Sequence, residues 1–239
     1  MKEAEYLRIL CYGDSNTWGT IGRWEESEIP SLRYEPGVRW TRVLQKELGK
    51  GCCVLEEGLG GRTTIYAKPG DEWKMGEPFL KVALHTHRPL DWVVLMLGTN
   101  DLQIKQDIHA NELPLGISRM VDIVQSCGKT GRDLTPPQVL ILAPVEVRPS
   151  DPKGRTAVYA KFRGEIGRQL SLLFPQAYAK VATEKHCHFL NAQAFAAPCP
   201  ADGVHLDAKS HVCLGKAVAA YLKGQIGLKE EKNERLPRL

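Results

Sequence analysis

At 239 residues the chain is long enough for one α/β domain with a sizeable core, and it requires no second domain. Lys plus Arg exceed Asp plus Glu by 32 minus 28, or +4, and the charges are spread along the sequence, which gives no indication of a nucleic-acid-binding protein. No uninterrupted apolar run approaches the ~18 residues needed to cross a bilayer, so a membrane protein is not expected.

The first six residues are charged and lead directly into a predicted strand, leaving no room for an apolar signal region. The seven cysteines are odd in number, scattered and mostly within apolar stretches, where free cysteine behaves as a small hydrophobic residue. We therefore expect a reduced, cytoplasmic protein. Export by a signal peptide outside this sequence is the alternative.

Apolar runs bounded by glycine and proline predict five strands that alternate with helices. The third strand is the clearest, because it is apolar on both faces, as a central parallel strand must be. In chain order the predicted strands are Leu7–Tyr12, the segment around Val54 and Leu55, Asp91–Leu97, Val139–Ala143 and His188–Asn191. The predicted helices are Val38–Leu48, Phe79–His87, Pro114–Ser126, Thr156–Leu173, Gln176–Lys185 and Asp207–Lys223.

These elements are spaced as right-handed βαβ crossovers require. The sequence thus predicts one α/β domain over residues 1–239, a three-layer α/β/α sandwich with a central, mostly parallel five-stranded sheet. Residues 229–239 are charge-rich and are expected to form a frayed tail. The turn Gly58–Gly61 lacks the rest of a dinucleotide fingerprint, and no phosphate-binding loop is present, so no nucleotide cofactor is expected.

Ser15 follows Gly13 and Asp14 at the end of the first predicted strand. Ligands of open α/β sheets bind at the carboxyl ends of strands, which makes this serine a candidate nucleophile. The alternative is a Gly-Asp-Ser turn that caps the next helix, because Asp and Ser accept backbone N–H groups there. This stretch alone does not decide between the two.

Four short segments at predicted strand ends or in loops fall on one rim of the expected sheet. Acyl transfer from an ester needs a nucleophile, a base, a group that orients the base, and donors for the tetrahedral oxyanion. The segments that supply these residue types are Gly13-Asp14-Ser15, Gly58-Leu59-Gly60-Gly61, Gly98-Thr99-Asn100-Asp101 and Asp202-Gly203-Val204-His205.

In type and order these segments resemble the SGNH subgroup of the GDSL hydrolases, whose four blocks contribute Ser, Gly, Asn and His. The resemblance extends from Gly13 to His205. The flanking residues resemble the bacterial arylesterase branch, which includes a mycobacterial acyltransferase; they are Thr17-Trp18-Gly19, Val38-Arg39-Trp40-Thr41, Glu56-Glu57, Arg62-Thr63-Thr64 and Met96-Leu97. The resemblance implies a flavodoxin-like SGNH hydrolase fold and a serine esterase acting on small, short-acyl carboxylic esters.

The resemblance assigns Ser15 as the nucleophile, His205 as the base that takes its proton, and Asp202 as the acid that orients the imidazole. Asp202 and His205 are three residues apart, so a single turn can present both side chains to one point. The alternative is a loop with a capping acid and a surface histidine. No cofactor is expected, because these residues and the oxyanion donors complete the mechanism.

The expected oxyanion donors are the backbone N–H groups of Ser15 and Gly61 and the side-chain amide of Asn100. A glycine at position 61 allows a close approach of backbone to substrate. Gly60 replaces Gly61 in this role if the turn is shifted by one residue. Asp14 is expected to bind neighbouring backbone N–H groups and hold the serine turn.

Trp18 and Thr99 are the candidate substrate contacts, although core packing is an equal alternative for Trp18. Asp101 is expected to be a turn or cap residue. Cys11 lies inside an apolar strand, where we expect packing rather than a thiol nucleophile.

Histidines at positions 186 and 188 flank Cys187, but this spacing and the lack of partners argue against a metal site. The excursion at 20–36 carries Trp24, Arg33 and Tyr34, which could roof the cleft or contact another subunit. The oligomeric state is open, although members of the resembled branch assemble into homo-oligomers.

The expected partner is a small-molecule ester, with neither nucleic acid nor membrane. Three other functions stay open. A carbohydrate acetylesterase would use the same residues on acetylated sugars, and a restricted apolar cleft would favour acyl transfer to alcohols. A non-catalytic ligand-binding module would require a defective site, yet Ser15, Asn100, Asp202 and His205 are all present.

Overall fold

A computed structural model describes residues 6–23, 32–149 and 157–227, so Trp24 and the predicted tail at 229–239 lie outside the described residues. Its strands are β1 (Leu7–Gly13), β2 (Cys52–Gly58), β3 (Trp92–Met96), β4 (Gln138–Ala143) and β5 (His188–Asn191). They form one sheet in the order β2-β1-β3-β4-β5, and all four pairings are parallel. This is the flavodoxin-like strand order, and it confirms the predicted α/β fold.

The described helices connect these strands on both sides of the sheet. They are α1 (Ser15–Trp18), α2 (Trp40–Leu48), α3 (Gly76–His87), α4 (Asp101–Ile104), α5 (Leu113–Ser126), α6 (Ala157–Lys161), α7 (Gly164–Leu172), α8 (Phe174–Glu184) and α9 (Ala208–Ile226). Single 3₁₀ turns occur at Glu72–Lys74, Ala110–Glu112, Gly128–Thr130, Arg132–Leu134 and Ala192–Ala194. No helix in the described ranges has the length and apolar character needed to cross a membrane.

Two features of the helices differ from the sequence prediction. The single helix expected before residue 173 is divided into α6 and α7, because Arg163 and Gly164 adopt left-handed φ angles of 68° and 56°. The short helices α1 and α4, which directly follow β1 and β3, were not predicted. Both are single turns whose sequences are too short to show helical periodicity.

Two apolar clusters lie on opposite faces of the sheet, because successive strand residues point to alternate sides. Leu10 and Tyr12 of β1 face the cluster formed with α3, α5 and α8. Ile9 and Cys11 face the cluster formed with α2 and α9. The three predicted layers are therefore present, and the sheet is buried on both faces.

The carboxyl ends of β1, β2 and β3 lie side by side. Gly13, the last residue of β1, pairs with Gly58 of β2 and with Met96 of β3. The connection from β1 leads to β2 on one side, and β3 lies on the other side, so the strand order reverses at β1. Such a switch point opens a crevice at the carboxyl ends of the strands.

Candidate active site

The segment after β1 forms a tight turn that places Ser15 at this crevice. Asp14 is the N-cap of α1, and its carboxylate accepts the backbone N–H of Asn16 at 2.9 Å. Gly19 ends the helix in the left-handed conformation with φ 93°. Asp14 is only 2% exposed, and this burial raises its pKa to about 6. Its carboxylate thus binds the backbone of the turn that carries Ser15.

A second turn, between β5 and α9, carries Asp202 and His205. The backbone N–H of Gly203 donates to the carbonyl of Cys199 at 2.9 Å, and the N–H of Cys199 donates to the carbonyl of His205 at 2.6 Å. Asp202 Oδ1 accepts the backbone N–H groups of Val204 and His205, both at 2.9 Å. The loop therefore holds the carboxylate and the imidazole in a fixed relation.

Two hydrogen bonds join these turns into one chain of side chains. His205 Nε2 lies 2.9 Å from Ser15 Oγ, and His205 Nδ1 lies 2.6 Å from Asp202 Oδ2. Burial pushes the pKa of Asp202 up, but the hydrogen bond and charge of His205 and two backbone N–H groups outweigh it and leave the pKa below its usual value. An ionised Asp202 can only accept, so Nδ1 carries the proton and Nε2 presents a lone pair to Ser15. This arrangement can take a proton from the serine hydroxyl.

Asn16 connects the turn that carries Ser15 to the loop that carries His205, a role that the sequence did not indicate. Its side-chain amide donates to the carbonyl of Val204 at 3.2 Å, and its Oδ1 accepts the N–H of Leu206 at 2.9 Å. These two residues flank His205 on both sides. Asn16 therefore fixes the position of the backbone at His205 relative to its own neighbour, Ser15.

Two backbone N–H groups and one side-chain amide lie at the ends of β1, β2 and β3. Within the described ranges, neither the N–H of Ser15 nor that of Gly61 donates to a protein acceptor. Gly61 adopts φ 76°, a conformation that side chains with a Cβ rarely take. Asn100 Nδ2 donates one hydrogen to the carbonyl of Arg62 at 3.0 Å, which leaves its second N–H for a ligand.

Arg62 fixes the position of this glycine loop. Its guanidinium donates to the carbonyl of Gly13 at 2.9 Å and also to the carbonyl of Glu57, and it lies 4.0 Å from the ring centroid of Tyr12. The residue is only 6% exposed. The buried cation thus ties the end of β2 to the end of β1, next to the turn that carries Ser15.

The sequence predicts that Asp101 caps its own turn, but its side chain instead binds another segment. Its Oδ1 accepts the N–H of Thr64 at 2.8 Å, and its Oδ2 accepts the Thr64 hydroxyl at 2.6 Å. The contact links the segment after β3 to the segment after β2. Burial raises the pKa of Asp101 to about 7, although the Thr64 hydrogen bonds oppose this shift.

The raised pKa of Asp101 predicts a pH-dependent stability. The unfolded-state pKa of an aspartate is about 3.9, so the folded protein holds this proton more tightly than the unfolded chain does. The resulting stabilisation is complete below the unfolded pKa and is lost as the pH rises through the folded pKa of about 7. We expect Asp101→Asn to remove this dependence. The free energy of unfolding of the variant minus that of wild type should be at least about 1 kcal/mol larger at pH 8 than at pH 4.5.

Urea unfolding of both proteins across this pH range measures the difference. Asp133→Asn is the matched control, because Asp133 is exposed and its replacement removes the same charge. Parallel stability curves for wild type and Asp101→Asn would show that Asp101 ionises normally in the folded protein.

The remaining predicted contacts lie beside the crevice. Trp18 is half-buried, and the Arg33 guanidinium lies 5.1 Å from its ring centroid and donates to its carbonyl at 2.7 Å. Thr99 is 2% exposed, and its hydroxyl has no hydrogen-bond partner in the described part of the chain. Tyr34 packs edge-on against His211 at 5.2 Å. Arg33 and Tyr34 thus contact Trp18 and His211 of their own chain.

Of the other reactive side chains, Cys11 is buried, His188 is half-buried and His186 is exposed. The ring centroid of His188 lies 4.8 Å from that of Trp92, with the rings tilted by 52°, and its Nδ1 lies 3.1 Å from the hydroxyl of Tyr221. Among the residues that the structure describes, no three His, Cys, Asp or Glu side chains are grouped to hold a metal ion. Cys11 is fully buried, and burial raises its pKa well above the usual value, so it is not a thiolate nucleophile.

Three solved structures resemble this chain over nearly its whole length. A carbohydrate acetylesterase from Sinorhizobium meliloti is 34% identical, with a TM-score of 0.82 over 92% of this chain and 99% of that chain. The aryl esterase of M. smegmatis is 32% identical, with a TM-score of 0.82 over 91% of this chain and 99% of that chain. A carbohydrate acetylesterase family member from Sinorhizobium meliloti is 34% identical, with a TM-score of 0.79 over 93% and 100% of the two chains.

No significant match was found among curated proteins. The sequence profile of the GDSL-like lipase/acylhydrolase family matches residues 11–212, which include all four segments identified from the sequence. The match confirms the predicted family resemblance. By this match and by its likeness to the solved esterases, the chain belongs to the GDSL-like lipase/acylhydrolase family, a family of carboxylic ester hydrolases.

Proposed function

We propose that this protein is a serine esterase that hydrolyses small, short-acyl carboxylic esters through an acyl-enzyme on Ser15. The observation that carries the proposal is the pair of hydrogen bonds from Ser15 through His205 to Asp202, at 2.9 and 2.6 Å. Such a chain supplies a nucleophile, a general base and an orienting acid in contact with one another.

In the proposed mechanism, His205 Nε2 takes the hydroxyl proton as Ser15 Oγ attacks the ester carbonyl. The protonated imidazole then donates this proton to the departing alkoxide, which leaves the acyl group on Ser15. Water repeats the sequence, with His205 again serving as the base, and releases the carboxylic acid. Asp202 stays ionised throughout and stabilises the imidazolium.

The oxyanion of the tetrahedral intermediate would be bound by the N–H groups of Ser15 and Gly61 and by the free N–H of Asn100. Two properties support this assignment: the backbone N–H groups have no acceptor among the described residues, and Asn100 is 6% exposed and fixed by its bond to Arg62. Donors held in place before the reaction stabilise developing charge without reorganisation.

Asn100→Ala should therefore lower kcat by about 100- to 1000-fold with a small effect on KM, because the lost hydrogen bond forms mainly in the transition state. Steady-state kinetics on a 4-nitrophenyl ester provide the measurement. Asn111→Ala is the matched control, since Asn111 is exposed in the 3₁₀ turn after α4. A rise in KM with unchanged kcat would place Asn100 in ground-state binding and contradict the assignment.

A labelling experiment tests the proposed function directly. A fluorophosphonate should inactivate the enzyme and leave one adduct, on Ser15, in a peptide mass map, while 4-nitrophenyl esters of increasing acyl length should be hydrolysed fastest at the short end. An adduct on another residue would overturn the proposed nucleophile. No labelling and no hydrolysis across the panel would instead indicate a ligand-binding module.

The likeness to a carbohydrate acetylesterase supports a second candidate, the removal of acetyl groups from sugars. The proposed residues serve both reactions, and both enzymes would hydrolyse aryl acetates. Acetate release from sugar acetates and acetylated xylan, compared with aryl acetates at equal concentration, separates the two. Adding an alcohol to the same assay and measuring transesterified product tests whether the acyl-enzyme also transfers to alcohols.

A further inference from the structure

A small cavity of about 130 Å³ lies directly beside the proposed oxyanion site. It is lined by Gly61, Tyr66, Lys68, Asp71, Lys74 and Gln103, together with two further residues. Gly61 belongs both to this cavity and to the proposed set of oxyanion donors. The cavity is therefore within reach of the acyl or alcohol part of an ester whose carbonyl is bound at Gly61.

Three charged residues line one wall at a spacing of three residues. The N–H of Asp71 donates to the carbonyl of Lys68 at 2.8 Å, and the N–H of Lys74 donates to the carbonyl of Asp71 at 2.9 Å. The first bond closes a β-turn in which Gly70 has φ 86°, and the second closes the single 3₁₀ turn at Glu72–Lys74. These two turns place Lys68, Asp71 and Lys74 along the same cavity.

The loop that carries these residues is anchored to the glycine segment. The N–H of Thr63 donates to the carbonyl of Lys74 at 3.1 Å, and the N–H of Gly76 donates to the carbonyl of Thr63 at 3.1 Å. The side chain of Lys74 covers Gly61, since a Cβ built on that glycine would lie 3.3 Å from Lys74 Cδ. The charged wall is therefore fixed relative to the proposed oxyanion donors.

The charges on this wall do not cancel. Lys74 Nζ lies 3.1 Å from Asp71 Oδ2, and this ion pair is neutral. Lys68 forms no ion pair with any residue in the described ranges, so the cavity has a net charge of +1. A group with one negative charge would complete the electrostatic balance.

We propose that this cavity is a binding subsite for a carboxylate on the ester substrate, with Lys68 and Lys74 as its recognition residues. The inference rests on the proposed esterase function and names its substrate class: monoanionic esters, in which either the acyl part or the alcohol part carries a carboxylate. At about 130 Å³ the cavity is smaller than the pockets that enclose whole ligands, which matches a short charged substituent.

Two matched substrate pairs test the subsite and show which part of the ester enters it. 4-Nitrophenyl hydrogen succinate against 4-nitrophenyl butanoate places the carboxylate on the acyl part. 4-Acetoxybenzoate against methyl 4-acetoxybenzoate places it on the alcohol part. For each pair the ratio of kcat/KM, anionic over neutral, is measured after subtraction of the rate obtained with Ser15→Ala.

We expect Lys68→Met and Lys74→Met each to lower the anionic-to-neutral ratio in at least one pair by about fivefold, the upper range for a partly exposed charge pair. Methionine keeps an apolar stem at each position, including that of Lys74 over Gly61, so the change in the ratio should come mainly from the anionic substrate. Asp71→Asn removes the competing carboxylate and should raise the same ratio. Salt at 0.5 M should compress all three effects.

Lys129→Met is the control, because it removes the same charge from an exposed residue far from the cavity. Lys129 lies in the turn Gly128–Thr130, which bonds to Leu90 just before the amino end of β3. The subsite would be overturned if Lys68→Met and Lys74→Met left the anionic-to-neutral ratio of kcat/KM unchanged in both substrate pairs. It would also be overturned if Lys129→Met changed that ratio equally. Hydrolysis of the neutral esters under those results would leave the proposed esterase function standing. Absence of hydrolysis of every ester above the Ser15→Ala rate would overturn both.

Discussion

Ser15→Ala is expected to reduce ester hydrolysis by at least about 10⁴-fold, the largest loss for any single replacement in this protein. The methyl group cannot form the acyl-enzyme, and no other nucleophile replaces the hydroxyl, because Cys11 is fully buried with a raised pKa. The residual rate should come from oxyanion stabilisation and binding alone. Full progress curves with 4-nitrophenyl acetate, at enzyme concentrations high enough to detect slow turnover, provide the measurement.

The fold should survive this replacement. Ser15 Oγ has one hydrogen-bond partner among the described side chains, His205, and the serine turn is held by Asp14 instead. Ser118→Ala on α5 is the control for an equivalent change away from the crevice. Turnover by purified Ser15→Ala within tenfold of wild type would refute the proposed nucleophile.

Asp202→Asn is expected to lower kcat/KM at pH 7 by about 10³- to 10⁴-fold, although it changes the side chain by a single group. The reason is the orientation that the amide must take. Oδ1 of Asp202 faces only donors: the N–H groups of Val204 and His205, both at 2.9 Å, and Cys199 Sγ at 3.4 Å. The oxygen of an asparagine would stay on this side, and its NH₂ group would face the imidazole.

An NH₂ group toward Nδ1 reverses the tautomer of His205. Nδ1 would then have to accept, so the proton would move to Nε2, which lies 2.9 Å from Ser15 Oγ. A protonated Nε2 cannot take the proton of the serine, and the loss should appear as lower kcat and slower labelling by a fluorophosphonate. ¹⁵N NMR of the His205 ring reports the tautomer directly.

The NMR measurement separates this explanation from unfolding of the loop. Asp122→Asn, in a partly exposed ion pair with Lys185, serves as the control for loss of a carboxylate. An unchanged tautomer in Asp202→Asn together with near-normal kcat would show that Asp202 does not orient the base.

The position of the site was accessible from sequence because it depends on properties that short segments express by themselves. An apolar run that stops at a glycine marks the end of a strand, and parallel strands end at one edge of the sheet. Ser15 and Asn100 could thus be placed together without knowing how helices pack. The three-residue spacing of Asp202 and His205 likewise indicated a shared turn.

The contacts that hold the site in place could not be predicted. The bonds of Asn16 to the histidine loop, of Arg62 to Gly13 and of Asp101 to Thr64 all join segments that are separated in sequence. Their formation depends on side-chain rotamers and on the packing of whole elements, which no local period encodes. Asp101 in particular is a residue type that often caps helices. Only the approach of Thr64 makes it a link between the segments after β2 and β3.

The charged wall at Lys68, Asp71 and Lys74 was hidden for a different reason. Glycine and proline around these residues predict a loop, and a loop prediction assigns no common face to its side chains. Two consecutive turns, the first with Gly70 at φ 86°, nevertheless bring the three residues to one cavity.

The two hydrogen bonds of Asn16 to the histidine loop have a consequence for when the site is assembled during synthesis. Ser15 and His205 are 190 positions apart, and Asn16 bonds to the residues on both sides of that histidine. A chain emerging from the ribosome carries Ser15, the proposed nucleophile, early and receives His205, the proposed base, only near the end. Under the proposed mechanism, hydrolysis requires the loop between β5 and α9 to dock against the turn after β1, so partly synthesised chains should be inactive on esters.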